Sequence, residues 1–357
     1  MRVLHVHKDF EPVGGGGGTA RHIHGLARAL ASHGCTVRVV APSVHPVSEP
    51  YVSIACAPAG IGPHIDWADV VHIHGARSTY AIRGALATAR RRTPFFYTPH
   101  AYYAGSSAAS NAVKYLWDQT AERFMAERGS GMILLTEVWR DWLRSKRIST
   151  ARTVIVPNCV LFEDLAAPAN DGAARLVGSP AILSIGRLDP VKRLGDTIAA
   201  LTRPGLEAAH FHIVGKGSDL PVLQAAAIRH GVAERVTFHG FVGDTEVAAM
   251  VAGADVFVLA SEQEGLPTVL LEMLIGRLPV ACSRIPGNMA IMDVAGCGGI
   301  FEVGEIDGLA RALLAAAATT VADASVEAVR QAFTWEARAG EIVELYARAI
   351  AGQRVGA

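Results

Sequence analysis

Short apolar runs alternate along the chain with longer stretches whose apolar residues return every three or four positions. The runs Arg2–His7, Thr36–Ala41, Val70–His74, Phe95–Thr98, Met132–Thr136 and Thr153–Val156 predict buried strands. Thr19–His33, Ser78–Arg92 and Asn111–Arg128 between them carry the helical period. After a break the alternation restarts with Ala181–Ile185, Phe211–Val214, Val236–Phe238, Val256–Ala260 and Pro279–Cys282. Strand–helix alternation implies parallel sheets covered on both faces, and two rounds of it predict two doubly wound α/β domains. The expected domains are 1–166 and 167–335, joined by a linker in Ala166–Pro180, where Ala, Gly, Pro and Asp gather. A final helix begins near Trp335 and has Ile342, Val343, Leu345, Tyr346 and Ile350 at helical spacing. Its expected course, over 336–357, is back onto the first domain. Parallel sheets bind ligands at the carboxyl ends of their strands. Two facing domains would therefore hold a substrate in the cleft between them.

Composition sharpens this picture. The 357 residues carry no formal net charge, yet residues 1–160 hold 18 basic and 10 acidic side chains and the remainder 15 and 23. Opposite charges on the two halves fit two domains with different tasks. Half the residues are hydrophobic, which excludes a disordered chain, and the dispersed charge excludes a general nucleic-acid binder. No apolar stretch approaches the roughly 20 residues of a membrane helix, and Met1–His7 reads as a strand rather than a signal peptide. Five widely spaced cysteines read as reduced core thiols, which places the protein in the cytoplasm.

Three segments carry candidate chemistry. Gly14–Gly18 lies between the first strand and its helix, where glycine lets the backbone approach an anion at a helix N-terminus. The spacing is not the dinucleotide fingerprint, and no acidic residue ends the second strand. In Ser184–Arg193, Arg187 follows directly on a strand and Lys192 comes five residues later. Two cations at a strand exit suit a diphosphate that must leave. In Ser261–Glu272, Glu264 and Glu272 are separated by seven residues, and Gly265 and Pro267 precede a helix whose first amides, near Thr268 and Val269, would face a phosphate.

Taken together and in order, these segments resemble the family 4 retaining glycosyltransferases of the GT-B fold. The likeness runs over nearly the whole chain. It includes Leu30-Ala-Ser-His33-Gly34, Asp69-Val-Val-His72-Ile-His74, Tyr97-Thr-Pro-His100 and Val156-Pro157-Asn158. It continues through Gly186-Arg187 with Lys192, Ile213-Val-Gly215-Lys-Gly217, Phe238-His-Gly240-Phe-Val242, the Glu264/Glu272 pair, Pro279-Val-Ala281 and Phe333-Thr-Trp335. The resemblance implies two Rossmann-like domains facing across a cleft and a nucleotide diphosphate sugar, UDP-linked ahead of GDP- or ADP-linked, as co-substrate. It implies that Arg187 and Lys192 grip the diphosphate and that Glu264, with the backbone of Gly265, Leu266 and Pro267, holds the donor sugar. Glu272 would take the ribose hydroxyls, Gly17 and Gly18 the phosphate, and Val242 the base, with His100 near the anomeric centre. Three departures stand out: Ala101 after His100, Arg277 where small residues are common, and Met289-Ala290 where the family often has Pro-Glu.

Neither a cofactor nor a metal is implied. His22 and His24 face different ways on a helix, and His72 and His74, which share a strand face, are expected to line the cleft. Arg140, Arg144, Lys146 and Arg147 interleave with Trp139 and Trp142, a pattern compatible with peripheral contact at the inner face of a membrane or with Trp in the core. The acceptor is unnamed by any motif; an anionic or lipid-linked glycan, an exopolysaccharide and a secondary metabolite all fit. Competing readings are an epimerase or a phosphorylase on the same fold, and a two-lobed sugar-binding protein without catalysis.

Overall fold

The computed structural model describes residues 1–11, 18–44, 49–100, 102, 107–162 and 175–353. It divides into two units, Met1–Cys159 with Trp335–Ala357, and Val160–Thr334.

The first unit is built on a seven-stranded parallel sheet. Its strands are β1 (Arg2–Val6), β2 (Thr36–Ala41), β3 (Val52–Ala55), β4 (Val70–His74), β5 (Phe95–Thr98), β6 (Gly131–Leu134) and β7 (Thr153–Ile155), in the order β3-β2-β1-β4-β5-β6-β7. The order reverses between β1 and β4, which creates a crevice at the carboxyl ends of these two strands. Val3, Leu4, Val6, Val70, Val71 and Ile73 are fully buried, as central strands of a doubly covered sheet require.

The last helix, Trp335–Ile350, belongs to this unit and packs on the helix Gly18–Ser32 and on β4. It buries Trp335, Ala339, Ile342, Tyr346 and Ala349, one stripe at helical spacing. Burial of side chains as large as Trp335 and Ile342 stabilises the unit by about 1.5–3 kcal/mol each.

The second unit has a six-stranded parallel sheet. Its strands are β8 (Ala181–Ile185), β9 (His210–Val214), β10 (Val236–Gly240), β11 (Val256–Leu259), β12 (Val280–Ser283) and β13 (Gly299–Phe301), in the order β10-β9-β8-β11-β12-β13. Here the reversal falls between β8 and β11. Phe211, Ile182, Val256 and Val258 fill one side of this sheet and Leu183, Phe257, Leu270 and Leu274 the other.

Two strands lie outside the predicted set. β3 is a half-exposed edge strand and β13 has three residues, so neither carries an apolar run. The helix expected over Asn111–Arg128 is three pieces: Ala108–Trp117, a π-helical turn Asp118–Glu122, and Arg123–Arg128. Among the described residues no helix is long and apolar enough to cross a membrane. All five cysteines are free, and all but Cys297 are buried.

Candidate active site

In the second unit the chemistry gathers at the reversal point. β8 ends at Ile185, and the chain continues through Gly186 (φ 152°) and Arg187 to a 3-10 turn, Pro190–Lys192. β11 ends at Leu259 and runs into Ser261–Pro267. The two loops are tied by the Glu262 N–H donating to the Val191 carbonyl at 2.9 Å. On this frame Lys192 Nζ donates to Glu264 Oε1 at 2.7 Å, and Ser261 Oγ–H donates to the same oxygen at 2.6 Å. The Lys192 and Glu264 side chains are 21% and 12% exposed, so the pair is held in a fixed geometry yet reachable from solvent. Arg187 does not join the pair: its side chain is 78% exposed and contacts Asp189 at 3.0 Å. Arg187 and Lys192 nonetheless line one shallow depression with Ser184, Gly186 and Val214.

The helix Thr268–Ile275 starts beside this loop. Its N-cap is Pro267, and no side chain caps it, so its first-turn amides keep their donor capacity. Leu266 is buried, and Thr268, Val269 and Glu272 are half-buried on the helix. Gly265 is held from behind, because a Cβ on Gly287 would lie 2.7 Å from the Gly265 and Glu264 carbonyl oxygens. Val242, after β10, packs half-buried on the core beside the exposed Phe241, whose ring lies 5.8 Å from Lys216 Nζ. The structure thus brings together Lys192, Glu264 and Ser261. Sequence reasoning did not single out Ser261 as a partner; its place three residues before Glu264 was the available signal.

The first-unit candidates lie on one face of β1, β4 and β5. Pairing sets His5 beside His72 and His74 beside Thr98. His72 bonds Tyr346 Oη at 2.6 Å and Thr98 Oγ1 at 2.7 Å. His5 Nδ1 lies 2.9 Å from His74 Nε2, and His74 Nδ1 lies 3.2 Å from His100 Nε2. His100 follows β5 with φ 68°, a left-handed conformation that, outside Gly, is taken mostly by Asn, Asp and His. His22 donates to Asn158 Oδ1 at 2.7 Å and packs edge-on against His100, ring centroids 4.7 Å apart. His24 turns instead to Tyr51 Oη at 2.7 Å.

Burial pushes His5 down to about 3 and His22 down to about 4. His72, His74 and His100 are held well below the imidazole range by burial and by their neighbouring rings. The cluster is therefore neutral at pH 7. Nitrogens of His5, His72 and His74, and of His22, His74 and His100, form two groups within 4.8 Å. His72 and His74 each spend both nitrogens on the bonds above, so neither could bind an ion without giving up a partner. His5 and Tyr346 were not foreseen; the alternation His5/His7 beside His72/His74 was the legible hint. Gly18 opens the helix Gly18–Ser32. Gly17 and Ala101 lie outside the described residues.

A buried network stands behind this face. Arg77, with φ 53°, grips Asp118 with two bonds of 2.9 Å, and its backbone N–H donates to Glu122 Oε1 at 3.1 Å. Tyr97 and Tyr102 hydroxyls donate to the two Glu122 oxygens at 2.9 and 3.0 Å. Burial raises the Glu122 carboxyl above its usual range against the pull of these donors. Tyr102 stacks on Trp142 with ring centroids 3.9 Å apart, and Trp139 is buried. Arg140 and Arg144 pair with Glu137 and Asp141 on their own helix. The aromatic residues of this segment therefore serve the core.

Residues 17–159 match the family model described as Glycosyl transferase 4-like domain, and residues 172–324 match Glycosyl transferases group 1. The chain is 26% identical over 412 aligned positions to a glycogen synthase of Mycobacterium tuberculosis, covering 99% of this chain and 96% of that one. It is 27% identical to a phosphatidyl-myo-inositol mannosyltransferase of Mycobacterium leprae, covering 92% of each. Among solved structures it superposes on Anabaena HepE in complex with UDP with a TM-score of 0.74 at 17% identity, over 97% of this chain and all of the other.

Proposed function

The chain belongs to the family 4-like glycosyltransferases of the GT-B fold, and from that premise we propose that it moves a hexose or N-acetylhexosamine from UDP to an acceptor hydroxyl with retention of anomeric configuration. The observation that carries this reading is the Lys192–Glu264 pair at the β8/β11 reversal, beside an uncapped helix N-terminus. In the reaction the bond between the anomeric carbon and the diphosphate oxygen breaks. The acceptor oxygen takes the carbon and passes its proton to the departing diphosphate oxygen, and UDP leaves. Lys192, with Arg187 and the amides near Thr268 and Val269, stabilises the charge that grows on the diphosphate. The donor's sugar hydroxyls fall to Glu264 with the Gly265–Pro267 backbone. Its ribose hydroxyls fall to Glu272, its base to Val242, and its phosphate also to Gly17 and Gly18. His100 serves the anomeric region. Side chains and helix amides neutralise the leaving group, so this chemistry uses no resident metal or cofactor. The UDP in the Anabaena complex supports the choice of nucleotide. The mannosyltransferase relative, whose name specifies phosphatidyl-myo-inositol, supports an anionic or lipid-linked acceptor.

The test is UDP release and product mass with UDP-glucose, UDP-N-acetylglucosamine, GDP-mannose and ADP-glucose, followed by NMR of the product's anomeric proton. Lys192→Ala is expected to lower kcat about 100- to 1,000-fold, the usual cost of one lost charge-stabilising donor. Wild-type turnover in that variant would overturn the site. Epimerised or free sugar without an acceptor would favour an epimerase, and no nucleotide binding at all would favour a sugar-binding protein.

A further inference from the structure

His5, His74 and His100 form a continuous line of imidazoles. Two nitrogen–nitrogen contacts, of 2.9 and 3.2 Å, join them. Each contact needs one N–H and one bare nitrogen. A neutral ring has one of each, so three neutral rings satisfy both contacts in only two ways. Either every ring is protonated on Nδ1, or every ring is protonated on Nε2. The far end of the line decides between them. His5 Nε2 is buried and has no hydrogen-bond partner. In the second arrangement that atom is an N–H with no acceptor, the more rarely tolerated form of buried orphan. In the first it is a bare lone pair.

We propose that His5 and His74 are positioning residues that lock His100 in the Nδ1–H tautomer, making it a hydrogen-bond donor to a substrate oxygen rather than a base for the acceptor. The proton order runs outward: His5 Nδ1–H to His74 Nε2, then His74 Nδ1–H to His100 Nε2. Nδ1 of His100 makes no hydrogen bond to a described residue, so its N–H remains for a ligand. Burial and the neighbouring rings keep all three imidazoles uncharged at neutral pH. The donor role rests on the transfer reaction proposed above; the tautomer does not.

The first measurement is made without substrate. Long-range proton–nitrogen correlation on the full-length, histidine-labelled protein near pH 7.5 distinguishes protonated from bare ring nitrogens. The His100 signals are assigned by their loss in His100→Asn. The expected result is protonated Nδ1 and bare Nε2 on His5, His74 and His100. A protonated Nε2 on His100 overturns the proposal.

The second measurement compares His100→Asn with His100→Asp, both of which suit the positive φ. Asn keeps an N–H and has no basic group; Asp has a base and no N–H. Asn is expected to retain about a tenth of wild-type kcat and Asp to fall about 100-fold further, within the range expected for a lost donor. Asp equal to or better than Asn overturns the donor role. If Lys192→Ala abolishes transfer while His100 shows the wrong tautomer, this inference alone fails. If Lys192→Ala stays active while His100 shows Nδ1–H, the transfer site fails and the tautomer stands.

Discussion

Two glycines show how closely the second unit is built around its reversal point. Gly215 has φ 135°, and a Cβ there would lie 1.8 Å from the Gly186 carbonyl oxygen. A Cβ on Gly217 would lie 2.1 Å from the Leu188 carbonyl oxygen. The loop leaving β9 is thus seated directly on the loop that carries Arg187 and Lys192. The Leu188 N–H binds the Lys216 carbonyl at 3.0 Å. The Gly-x-Gly spacing was visible in the sequence, but its partner was not, because only the β8/β9 pairing brings the two loops together. Gly215→Ala must push the Arg187 loop aside in addition to straining its own backbone. Its expected cost is on the order of 3 kcal/mol of stability, with UDP affinity weakened at least about tenfold. Urea unfolding and calorimetric titration with UDP check both. A wild-type urea midpoint would show that the loops yield without cost.

At the level of elements, central strands were legible and edges only in part: β7 and β10 were anticipated, β3 and β13 were not. β1, β4, β5, β8, β9 and β11 are buried on both faces and read as apolar runs, whereas β3 and β13 lack that signal. Of the candidate site, Lys192 and Glu264 could be read because cations at a strand exit and a carboxylate before a helix are local patterns. The histidine line could not, since His5, His74 and His100 meet only through strand order. The π-helical turn Asp118–Glu122 has the same origin. A helical period runs through Asn111–Arg128, but Arg77, 41 residues before Asp118, holds one carboxylate at each end of the turn. π-turns of this kind recur at functional sites. Arg77→Met would leave Asp118, whose side chain is 2% exposed, without its cation. Removing one partner of a buried ion pair costs about 3–5 kcal/mol, and that loss is expected in urea unfolding of this variant. Asp118→Asn, which leaves a neutral group facing Arg77, is expected to lose less. Equal stability of Arg77→Met and wild type would show that the turn does not depend on the pair.

Over the whole molecule the charge asymmetry survives the assignment of the last helix to the first unit, because residues 335–357 carry three basic and three acidic side chains. The histidine asymmetry has the sharper consequence. Ten of the 14 histidines precede residue 161, and six of these, His5, His22, His64, His72, His74 and His100, titrate below their ordinary range. In the unfolded chain they protonate near pH 6.5. Between that pH and the lower folded values, about 4 for His22 and about 3 for His5, the unfolded state binds more protons. Their contribution is therefore complete above about pH 6.5 and declines as pH falls, by up to about 1.4 kcal/mol per pH unit for each ring. Glu122 opposes the trend, since its raised carboxyl favours the folded state as pH falls, but it is one group against six. Thermal unfolding is thus expected to be level from about pH 8 to 7 and to drop steeply between about pH 6 and 5. In the second unit His210 and His239 are also lowered, but they are less buried and fewer. His74→Leu tests the origin of the slope: it removes one suppressed titration and is expected to flatten the fall below pH 6. A variant curve that runs parallel to wild type would assign the acid sensitivity to groups outside the histidine line.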